Sequence, residues 1–472
     1  MNARHVRIAG APTHTTETVE VRNPYDESVL ATVPLCGPEE VDTACGSAAA
    51  ALARDDFGQH ARAEVLERAA VLLRERTESF AQTIAAEAGK PIRTARGEVG
   101  RCVDTLTFAA VEARKLTGEM IPAEASTSAA GKVMFALRVP IGVVAAITPF
   151  NFPLNLVAHK IAPAVAAGCP VVLKPAPQTP LSAIDLVELL VEAGLPGDWI
   201  SVVTDSRAEA AAPLVAHDIP RMVTFTGSVP VGWGIAANAP RKKVALELGS
   251  NSPVIIEPGT DVASVAGKIA AGGFGYSGQS CIAVQRVLVH EDIHDELRDA
   301  LAKAVDALVV GDPSDEATDV GPMIAIPHRE RVRSWIEEAV SDGGTIVAGG
   351  GLEGDILRPT VIDNPPSDAK VCREEVFGPV VTIQGYRDFD DALAMANDSA
   401  FGLHAGVFTN DLAKAMRAVR LLDFGGVLIG EVPTFRADQQ PYGGVRDAGN
   451  TREGPAYTVE EMTELRMVSL PA

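Results

Sequence analysis

The chain has 472 residues, of which 47% are apolar and 22% are charged. This length predicts two or three domains, because a single simple core does not grow to this size. The formal net charge of −21 argues against nucleic acid and against anionic membrane surfaces as partners.

Cysteine usage and hydropathy predict a cytoplasmic protein. The six cysteines are scattered and form no Cys-x-x-Cys pair, which favours free thiols in a reducing compartment. The first residues lack the apolar stretch of a secretory signal. The longest nearly apolar run, 161–173, is interrupted by Pro163 and Pro170 and is shorter than the ~20 residues that a membrane span needs.

Two kinds of periodicity follow one another along the first half of the chain. Apolar residues recur at helical spacing over 61–88 and 97–116, which predicts long amphipathic helices. From residue 143, short β-rich runs alternate with helical segments. The predicted strands are 143–147, 170–173, 200–203, 222–225 and 244–246, and the helices between them are 154–167, 181–193, 207–216 and 230–237. This alternation predicts a parallel, doubly wound sheet, which binds ligands at the carboxyl ends of its strands.

A second alternating series, from about residue 252 to 430, predicts a second α/β domain. Its predicted strands are 283–289, 379–384 and 405–408, and its predicted helices are 294–308, 328–340 and 411–421. Residues 124–139 and 456–470 fit neither core. We expect them to be extended, as a hairpin and a terminal strand that pairs with a neighbouring subunit. A ligand site is expected in the cleft between the two domains.

Cys281 and Glu247 are the strongest candidates for chemistry. Cys281 ends the small-residue segment 274–281, which could present a thiol to a substrate. A free thiol has a pKa of ~8.5, so a nucleophilic role requires a helix N-terminus or a cation that lowers it. Glu247 ends an apolar strand, where burial would raise its pKa and suit a general base. The alternatives are a buried structural cysteine and a structural ion pair.

Three further motifs have both a functional and a structural interpretation. Asn151 precedes a predicted helix, where its amide could donate to an oxyanion or cap the helix. The turn 225–232 could bring Ser228 to a pyrophosphate, or be an ordinary strand–turn–helix. His290–His294 matches His-Glu-x-x-His. We predict no metal site there, because His290 ends a strand and Asp292 is expected to cap the next helix.

Taken together, these segments resemble the aldehyde dehydrogenase superfamily along essentially the whole chain. The resemblance is nearest to the lactaldehyde and non-phosphorylating glyceraldehyde-3-phosphate dehydrogenase branch. The motifs that carry it are Pro149-Phe150-Asn151-Phe152-Pro153, Lys174-Pro175-Ala176, Phe225-Thr226-Gly227-Ser228, Leu246-Glu247-Leu248-Gly249, Gly278-Gln279-Ser280-Cys281, Glu374-Glu375-Val376-Phe377-Gly378-Pro379 and Pro441-Tyr442-Gly443-Gly444.

The resemblance implies an α/β fold with a Rossmann-type cofactor domain, a second α/β catalytic domain and a small β extension for oligomerisation. The NAD(P)-binding domain would comprise 1–123 and 140–248, and the catalytic domain 249–440. Residues 124–139 and 441–472 would be the oligomerisation segments of a homodimer or homotetramer.

The resemblance also implies a mechanism. Cys281 would attack the aldehyde carbon, with the oxyanion held by Asn151 and the Cys281 N–H. Hydride would pass to a nicotinamide, and Glu247 would activate the water that hydrolyses the resulting thioester. The implied cofactor-binding residues are Thr148, Pro149, Phe150, Lys174, Ala176, Pro177, Phe225, Gly227, Ser228, Gly232, Leu248, Gly249, Glu375 and Phe377.

Within this set, Lys174 and Glu375 would hold the two riboses, Ser228 the pyrophosphate and Phe377 the nicotinamide side. Pro177 stands where many NAD-preferring members carry a glutamate that repels a 2′-phosphate. Both NAD and NADP therefore remain candidates for the cofactor.

The predicted substrate-binding residues are Arg101, His159, Ser280 and Arg436. Ser280 stands where the glyceraldehyde-3-phosphate branch carries arginine. The other three could converge on a phosphate, phosphonate, sulfonate or carboxylate of a small aldehyde. Alternatively, Arg101 pairs with a carboxylate of its own helix, Glu98 or Asp104, and the substrate is a neutral hydroxyaldehyde.

Two functional alternatives remain. One is a CoA-acylating semialdehyde dehydrogenase, which needs no water-activating base such as Glu247. The other is a catalytically silent relative, against which the intact Cys281, Glu247 and Asn151 argue.

Overall fold

The computed structural model describes residues 3–207 and 209–472. Residues 1 and 2, at the start of the predicted segment 1–123, and residue 208, within the predicted helix 207–216, lie outside this description. That predicted helix is Ala211–Ala216 in the structure. Among the described helices, none combines the length and the apolar character that crossing a membrane requires.

The first sheet has five parallel strands, as the alternating pattern predicted. In spatial order they are Lys243–Glu247, Met222–Thr226, Val144–Ile147, Val171–Lys174 and Ile200–Val202. The three inner strands are buried throughout, which is typical of a parallel sheet covered by helices. The strand order reverses at Val144–Ile147, so the carboxyl ends of this strand and of Met222–Thr226 border a crevice.

Helices pack with these strands into one hydrophobic core. They are Pro38–Arg54, Gln59–Glu75, Thr77–Ala88, Ile92–Lys115, Asn155–Ala167, Leu181–Glu192, Ala211–Ala216 and Val229–Asn238. The prediction of one continuous helix over 61–88 is wrong, because the helix breaks at Arg76 (φ −107°, ψ 19°). There the Thr77 hydroxyl donates to the Arg74 carbonyl, and such a side-chain bond competes with the helical ladder.

The second sheet has seven strands, and only its edge strand Thr345–Ala348 is antiparallel to its neighbour. The remaining strands, in spatial order, are Thr360–Asp363, Val380–Tyr386, Arg286–His290, Pro253–Ile256, His404–Phe408 and Gly426–Ile429. The helices of this half are Val262–Phe274, His294–Asp306, Ile326–Ser341, Lys370–Arg373, Phe389–Asn397 and Leu412–Leu421. This arrangement matches the predicted second α/β unit.

The segment His290–His294 is not a continuous helix. His290 ends the strand Arg286–His290, and the next α-helix begins at His294. The predicted cap at Asp292 is wrong, because His290 Nδ1 accepts the Asp292 N–H at 3.2 Å and caps the intervening 3₁₀ turn. In the described part of the chain, no group of three or more His, Cys, Asp or Glu side chains could hold a metal ion.

A third, antiparallel sheet contains Thr463–Pro471, Lys132–Pro140 and Glu119–Ile121. The prediction that 456–470 is extended is wrong over Pro455–Glu461, which is helical. Gly454 (φ +116°) turns the chain into this helix, and proline suits its first position. The terminal strand pairs along its length with Lys132–Pro140 of its own chain, and pairing with a neighbouring subunit stays a prediction.

Short elements complete the fold. The two-stranded ribbons are Val6–Ile8 with Ala11–Thr13, Thr18–Arg22 with Val29–Pro34, Leu352–Glu353 with Ile356–Leu357, and Phe401–Gly402 with Val445–Arg446. The 3₁₀ turns are Ala123–Ala125, Thr127–Ala129, Gly197–Trp199, Gly275–Gly278 and Glu291–Ile293.

Candidate active site

A cavity of 590 Å³ opens where the carboxyl ends of the first-sheet strands meet the Cys281 segment. This volume is in the usual range for small-molecule sites. The predicted residues that line it are Thr148, Pro149, Phe150, Asn151, Lys174, Ala176, Pro177, Phe225, Gly227, Ser228, Leu248, Gly249, Cys281, Glu375 and Phe377. The cavity therefore brings together residues from both halves of the chain.

Gly232 is the exception among the predicted cofactor residues. It does not line the cavity, and a Cβ there would collide with the side chain of Leu248. Glycine at this position thus allows the helix Val229–Asn238 to pack closely on the chain after the last strand. His328 and Arg331 line the cavity without having been predicted, because no recognised motif marks the start of their helix.

The polar groups of the cavity fit a dinucleotide. The Thr148 and Thr226 hydroxyls are buried and lack a hydrogen-bond partner among the described residues, so they are available to a ligand rich in hydroxyls. Ser228 is the N-cap of the ten-residue helix Val229–Asn238, and a helix N-terminus favours phosphate. Glu375 accepts a hydrogen bond from the Ser250 N–H at 2.9 Å, and burial raises its pKa to about 7.

Lys174, which lines this cavity, already has a buried partner. Its amine lies 2.7 Å from the carboxylate of Asp205, and both side chains are almost fully buried. Ala176, Pro177 and Gln178, which follow Lys174 closely in the chain, also line the cavity. The sequence analysis did not find Asp205, because it lies in a loop without a recognised motif.

Cys281 is half-buried, whereas the other five cysteines are buried. The turn before it is held firmly, with Tyr276, Ser277 and Gly278 all at positive φ and the Ser277 hydroxyl donating to the Gly321 carbonyl at 2.6 Å. The small-residue segment, which the sequence suggested would be flexible, is therefore a constrained turn. Strained turns of this kind occur preferentially at functional sites.

The Cys281 thiol has one hydrogen-bond partner among the described residues, the phenolic oxygen of Tyr442 at 2.8 Å. Burial raises the pKa of Cys281 to about 12, while the bond with Tyr442 and the charge of Arg436 act in the opposite direction. Arg436, from the loop 433–436, is the cation that acts to lower this pKa, and burial outweighs it. Ser280 is half-buried, and its hydroxyl accepts the Ile282 N–H at 3.4 Å.

Asn151 is directed at the turn that holds the thiol. Its Nδ2 donates to the Gln279 carbonyl at 3.0 Å, and its Oδ1 is buried with no partner in the described structure. The alternative that Asn151 caps a helix is wrong, because the following helix begins only at Asn155. The N–H groups of Leu154 and Asn155 donate instead to Glu98, at 2.9 and 3.1 Å.

Glu247 ends the strand Lys243–Glu247 and is 2% exposed. Neither carboxyl oxygen has a hydrogen-bond partner among the described residues, so the alternative of a structural ion pair is wrong. Burial, followed by the charge of Glu453, raises its pKa well above the ordinary value, while Arg436 and Lys160 lower it. Glu247 does not line the cavity, but its charge is close enough to raise the pKa of Cys281.

Behind Tyr442 lies a buried charge cluster that the sequence analysis did not find. Glu453 bonds Lys160 at 2.9 Å and Arg436 at 3.2 Å. Burial alone would raise the pKa of Glu453, but these two cations hold it at about 2. The Arg436 guanidinium lies 3.7 Å from the centroid of the Tyr442 ring, and its Nε has no partner in the described structure. Two cations thus share one carboxylate.

Arg101 and His159 meet at Asp438. The Asp438 carboxylate accepts hydrogen bonds from Arg101 Nε and Nη2 at 3.1 and 2.8 Å, and it lies 2.9 Å from His159 Nε2. Arg101 therefore does not pair with Glu98 or Asp104. Burial, with the charge of Arg436, lowers the pKa of His159. At neutral pH His159 is uncharged, and Arg436 faces a different carboxylate, so the three residues do not form one cationic cluster.

Known proteins resemble this chain over its full length. Residues 11–468 match the model for the Aldehyde dehydrogenase family. A 3-sulfolactaldehyde dehydrogenase of Priestia aryabhattai is 45% identical, over 97% of this chain and 95% of that protein.

Solved structures agree with this match. Aldehyde dehydrogenase 21 from Physcomitrella patens in complex with the reaction product succinate is 40% identical, with a TM-score of 0.95 over 100% of this chain and 98% of that one. An NADP-dependent glyceraldehyde-3-phosphate dehydrogenase from Bacillus halodurans C-125 complexed with NADP is 34% identical, with a TM-score of 0.97 over the whole of both chains. The chain therefore belongs to the aldehyde dehydrogenase family and is an NAD(P)-dependent aldehyde dehydrogenase with the mixed α/β fold of that family.

Proposed function

We propose that the chain oxidises a short aldehyde bearing an anionic group, foremost a sulfonate or carboxylate, to the corresponding carboxylic acid. The observation that carries this proposal is the position of Arg436. Its guanidinium is buried against Tyr442, the residue that bonds the Cys281 thiol, and its Nε lacks a partner among the described residues. An unpartnered buried N–H is costly, and a substrate anion would satisfy it.

The local charge balance supports the same substrate class. Arg436 and Lys160 face the single carboxylate Glu453, while burial favours the neutral form of Glu247. With Glu247 in its neutral form, the cluster carries one positive charge in excess, and such a charge acts strongly in a buried surrounding of low dielectric. Two relatives are associated with molecules that carry anionic groups. One is named as a 3-sulfolactaldehyde dehydrogenase, and the other was solved in complex with succinate.

In the acylation step that we propose, the Cys281 thiolate attacks the aldehyde carbon. A C–S bond forms and the carbonyl oxygen becomes negatively charged. Asn151 Nδ2, which donates to the Gln279 carbonyl in the free protein, would donate to this oxygen together with the Cys281 N–H. One such donor contributes roughly 2.7–4 kcal/mol of transition-state stabilisation.

The cofactor is NAD or NADP. Lys174 and Glu375 would hold its riboses, the helix N-terminus at Ser228 its pyrophosphate, and Phe377 its nicotinamide side. When bound, the nicotinamide would supply the two-electron oxidation by accepting a hydride. The edge-on contact between Phe150 and Phe377, at 5.8 Å between ring centroids, would help to keep the nicotinamide end dry.

Glu247 is the proposed base of the deacylation step. It would take a proton from water as the water oxygen adds to the thioester carbon, after which the C–S bond breaks and Cys281 leaves as thiolate. Burial and Glu453 raise the pKa of Glu247, which makes the ionised form a stronger base. Hydrolysis at this residue distinguishes the proposal from the CoA-acylating alternative.

The test of the substrate class compares matched aldehydes and matched variants. We expect wild type to prefer 3-sulfolactaldehyde and succinic semialdehyde over lactaldehyde in kcat/KM, measured by NAD(P)H formation. Arg436→Met should lose about 10–100-fold more with the anionic aldehydes than with lactaldehyde, because the loss of its charge near Cys281 slows both, and Arg436→Lys should recover part of that difference. Arg446→Lys, at an arginine near Phe424, is the control; neither Arg436 nor Arg446 lines the cavity itself. Equal losses with charged and neutral aldehydes would contradict the proposal.

The same assay separates the remaining functional alternatives. Release of the free acid without CoA is expected, whereas a requirement for CoA and release of its thioester would support the acylating alternative. Absence of turnover with every aldehyde and both nucleotides would support a silent relative.

We also propose that the chain works as a homodimer or homotetramer in the cytoplasm. Six apolar side chains on the three-stranded sheet are exposed. By register, Leu465 and Met467 lie on one face and the other four share the opposite face, with Met120 at 72%. These four are Met120, Val133, Leu137 and Leu470. Exposed apolar clusters of this kind mark protein contacts. All six cysteines are free, which suits a reducing compartment.

A further inference from the structure

The hydroxyl of Tyr442 is buried directly against the sulfur of Cys281. The two atoms are 2.8 Å apart, and each is the other's only hydrogen-bond partner among the described residues. Tyr442 is 2% exposed, so water does not replace this contact. A buried phenol normally requires a polar partner, and here that partner is the candidate nucleophile.

The backbone and ring of Tyr442 are fixed on several sides. Its N–H and carbonyl bond the carbonyl and N–H of Glu453 at 3.0 and 2.6 Å. The ring packs with Ile282 and Leu403 and contacts the edge of His404, at 5.0 Å between centroids. Phenylalanine would fill the same space, so packing alone does not account for the hydroxyl.

We propose that Tyr442 is a catalytic residue whose hydroxyl donates a hydrogen bond to the Cys281 thiolate and thereby increases the fraction of thiolate. The inference rests on the proposed role of Cys281 as the nucleophile. When the thiol ionises, its proton goes to water, while Tyr442 keeps its own proton and directs it at the sulfur. Hydrogen bonds to charged acceptors are the strong ones, and this one exists in full only after ionisation.

Arg436 strengthens this donor. Its guanidinium lies on the face of the Tyr442 ring, 3.7 Å from the centroid, and a nearby cation makes a phenolic O–H more polar. Burial raises the pKa of Tyr442 well above the ordinary value, so the phenol stays protonated when the thiol ionises. Arg436 therefore acts on the nucleophile partly through Tyr442.

The test measures thiolate formation without aldehyde or nucleotide. The rate of alkylation by iodoacetamide is followed against pH for wild type and Tyr442→Phe, with Cys281→Ala giving the background from the five buried cysteines. Below the thiol midpoint, we expect Tyr442→Phe to be alkylated about 10–100-fold more slowly than wild type at each pH, which corresponds to a midpoint about 1–2 pH units higher. The control is Tyr386→Phe, which removes another buried hydroxyl, bonded to Glu257 at 2.6 Å; its profile should equal that of wild type.

A second measurement does not depend on the folding of the variant. Replacing the five tyrosines by 3-fluorotyrosine makes the phenol a stronger donor, and we expect the alkylation midpoint to move to lower pH. Profiles of Tyr442→Phe and the fluorinated protein that coincide with wild type would overturn the inference. Since alkylation uses no aldehyde, that result would leave the proposed oxidation of anionic aldehydes standing. Conversely, if wild type shows no preference for anionic aldehydes, the expected alkylation profiles stay the same, because alkylation does not depend on the substrate class.

Discussion

The Arg101 guanidinium donates to the Asp438 carboxylate through both Nε and Nη2, at 3.1 and 2.8 Å. This bidentate pair is charge-neutral, so Arg101 brings no free positive charge to an incoming anion. His159 on the same carboxylate is uncharged at neutral pH, because burial and Arg436 lower its pKa. Recognition of an anionic substrate would then depend on Arg436, with Arg101 chiefly neutralising Asp438.

A pair of variants separates these two roles of Arg101. Arg101→Ala removes the cation paired with Asp438, and we expect the repulsion by its carboxylate to raise the KM of anionic aldehydes about tenfold. The double variant Arg101→Ala, Asp438→Ala removes both charges and should return that KM close to wild type. The KM of lactaldehyde is the internal control. A KM that stays equally high in the double variant would mean that Arg101 itself binds the anion.

Substitution at Glu247 should separate acylation from deacylation. Cys281→Ala is expected to abolish NAD(P)H formation. Glu247→Gln should retain a pre-steady-state burst of NAD(P)H of about one per site, while the steady-state rate falls about 10²–10⁴-fold. Stopped-flow absorbance measures both phases. If the burst is lost together with turnover, Glu247 does not act in deacylation alone.

Cofactor capture should depend on pH through Glu375. Burial raises the pKa of this carboxyl to about 7. Above that pH the ionised form accepts hydrogen bonds from ribose hydroxyls, and below it the protonated form loses this capacity. We expect kcat/KM for the nucleotide to fall about tenfold per unit as pH drops below 7. In Glu375→Gln, kcat/KM for the nucleotide should not fall in this way below pH 7. If the fall persists in the variant, another group is responsible for the titration.

The buried pair of Lys174 and Asp205 should disfavour NADP. Asp205 holds the Lys174 amine at 2.7 Å, so a 2′-phosphate placed nearby would meet a carboxylate together with the cation. Asp205→Asn is expected to raise the ratio of kcat/KM for NADP over NAD by about tenfold. Asp198→Asn, which removes a carboxylate paired with Arg54, is the control. An unchanged ratio in Asp205→Asn would show that this pair has no part in cofactor choice.

The apolar face of the three-stranded sheet should carry subunit contacts. Introducing charge with Leu137→Glu and Leu470→Glu is expected to shift the mass by light scattering to that of a monomer, because desolvating charges opposes association. The control is the double variant Leu412→Glu, Met416→Glu, which alters two exposed apolar residues of the helix Leu412–Leu421 instead of the sheet. Dissociation by the control pair alone would assign the contact to that helix instead.

Local sequence patterns determined most of the framework. The alternation of apolar runs and helical periodicity predicted the five-stranded parallel sheet, since each strand and helix is specified by neighbours in the chain. Short motifs predicted the cavity lining, including Cys281, Asn151, Lys174 and Glu375. The break at Arg76 was not predictable from apolar spacing, because one bond from Thr77 to the Arg74 carbonyl accompanies it.

The tertiary structure alone decided how the charges of the site are arranged. Arg101 meets Asp438 across 337 positions, and Lys160 meets Glu453 across 293. No local periodicity records such a pairing, because only the packing of distant segments brings the groups together. Burial likewise decides their ionisation, since the free-energy cost of a buried charge depends on the folded surroundings. The sequence by itself thus determined the fold and singled out Cys281 as the candidate nucleophile, while tertiary packing determined that Arg436, and not Arg101 or His159, is the buried cation near Tyr442 with an unused N–H.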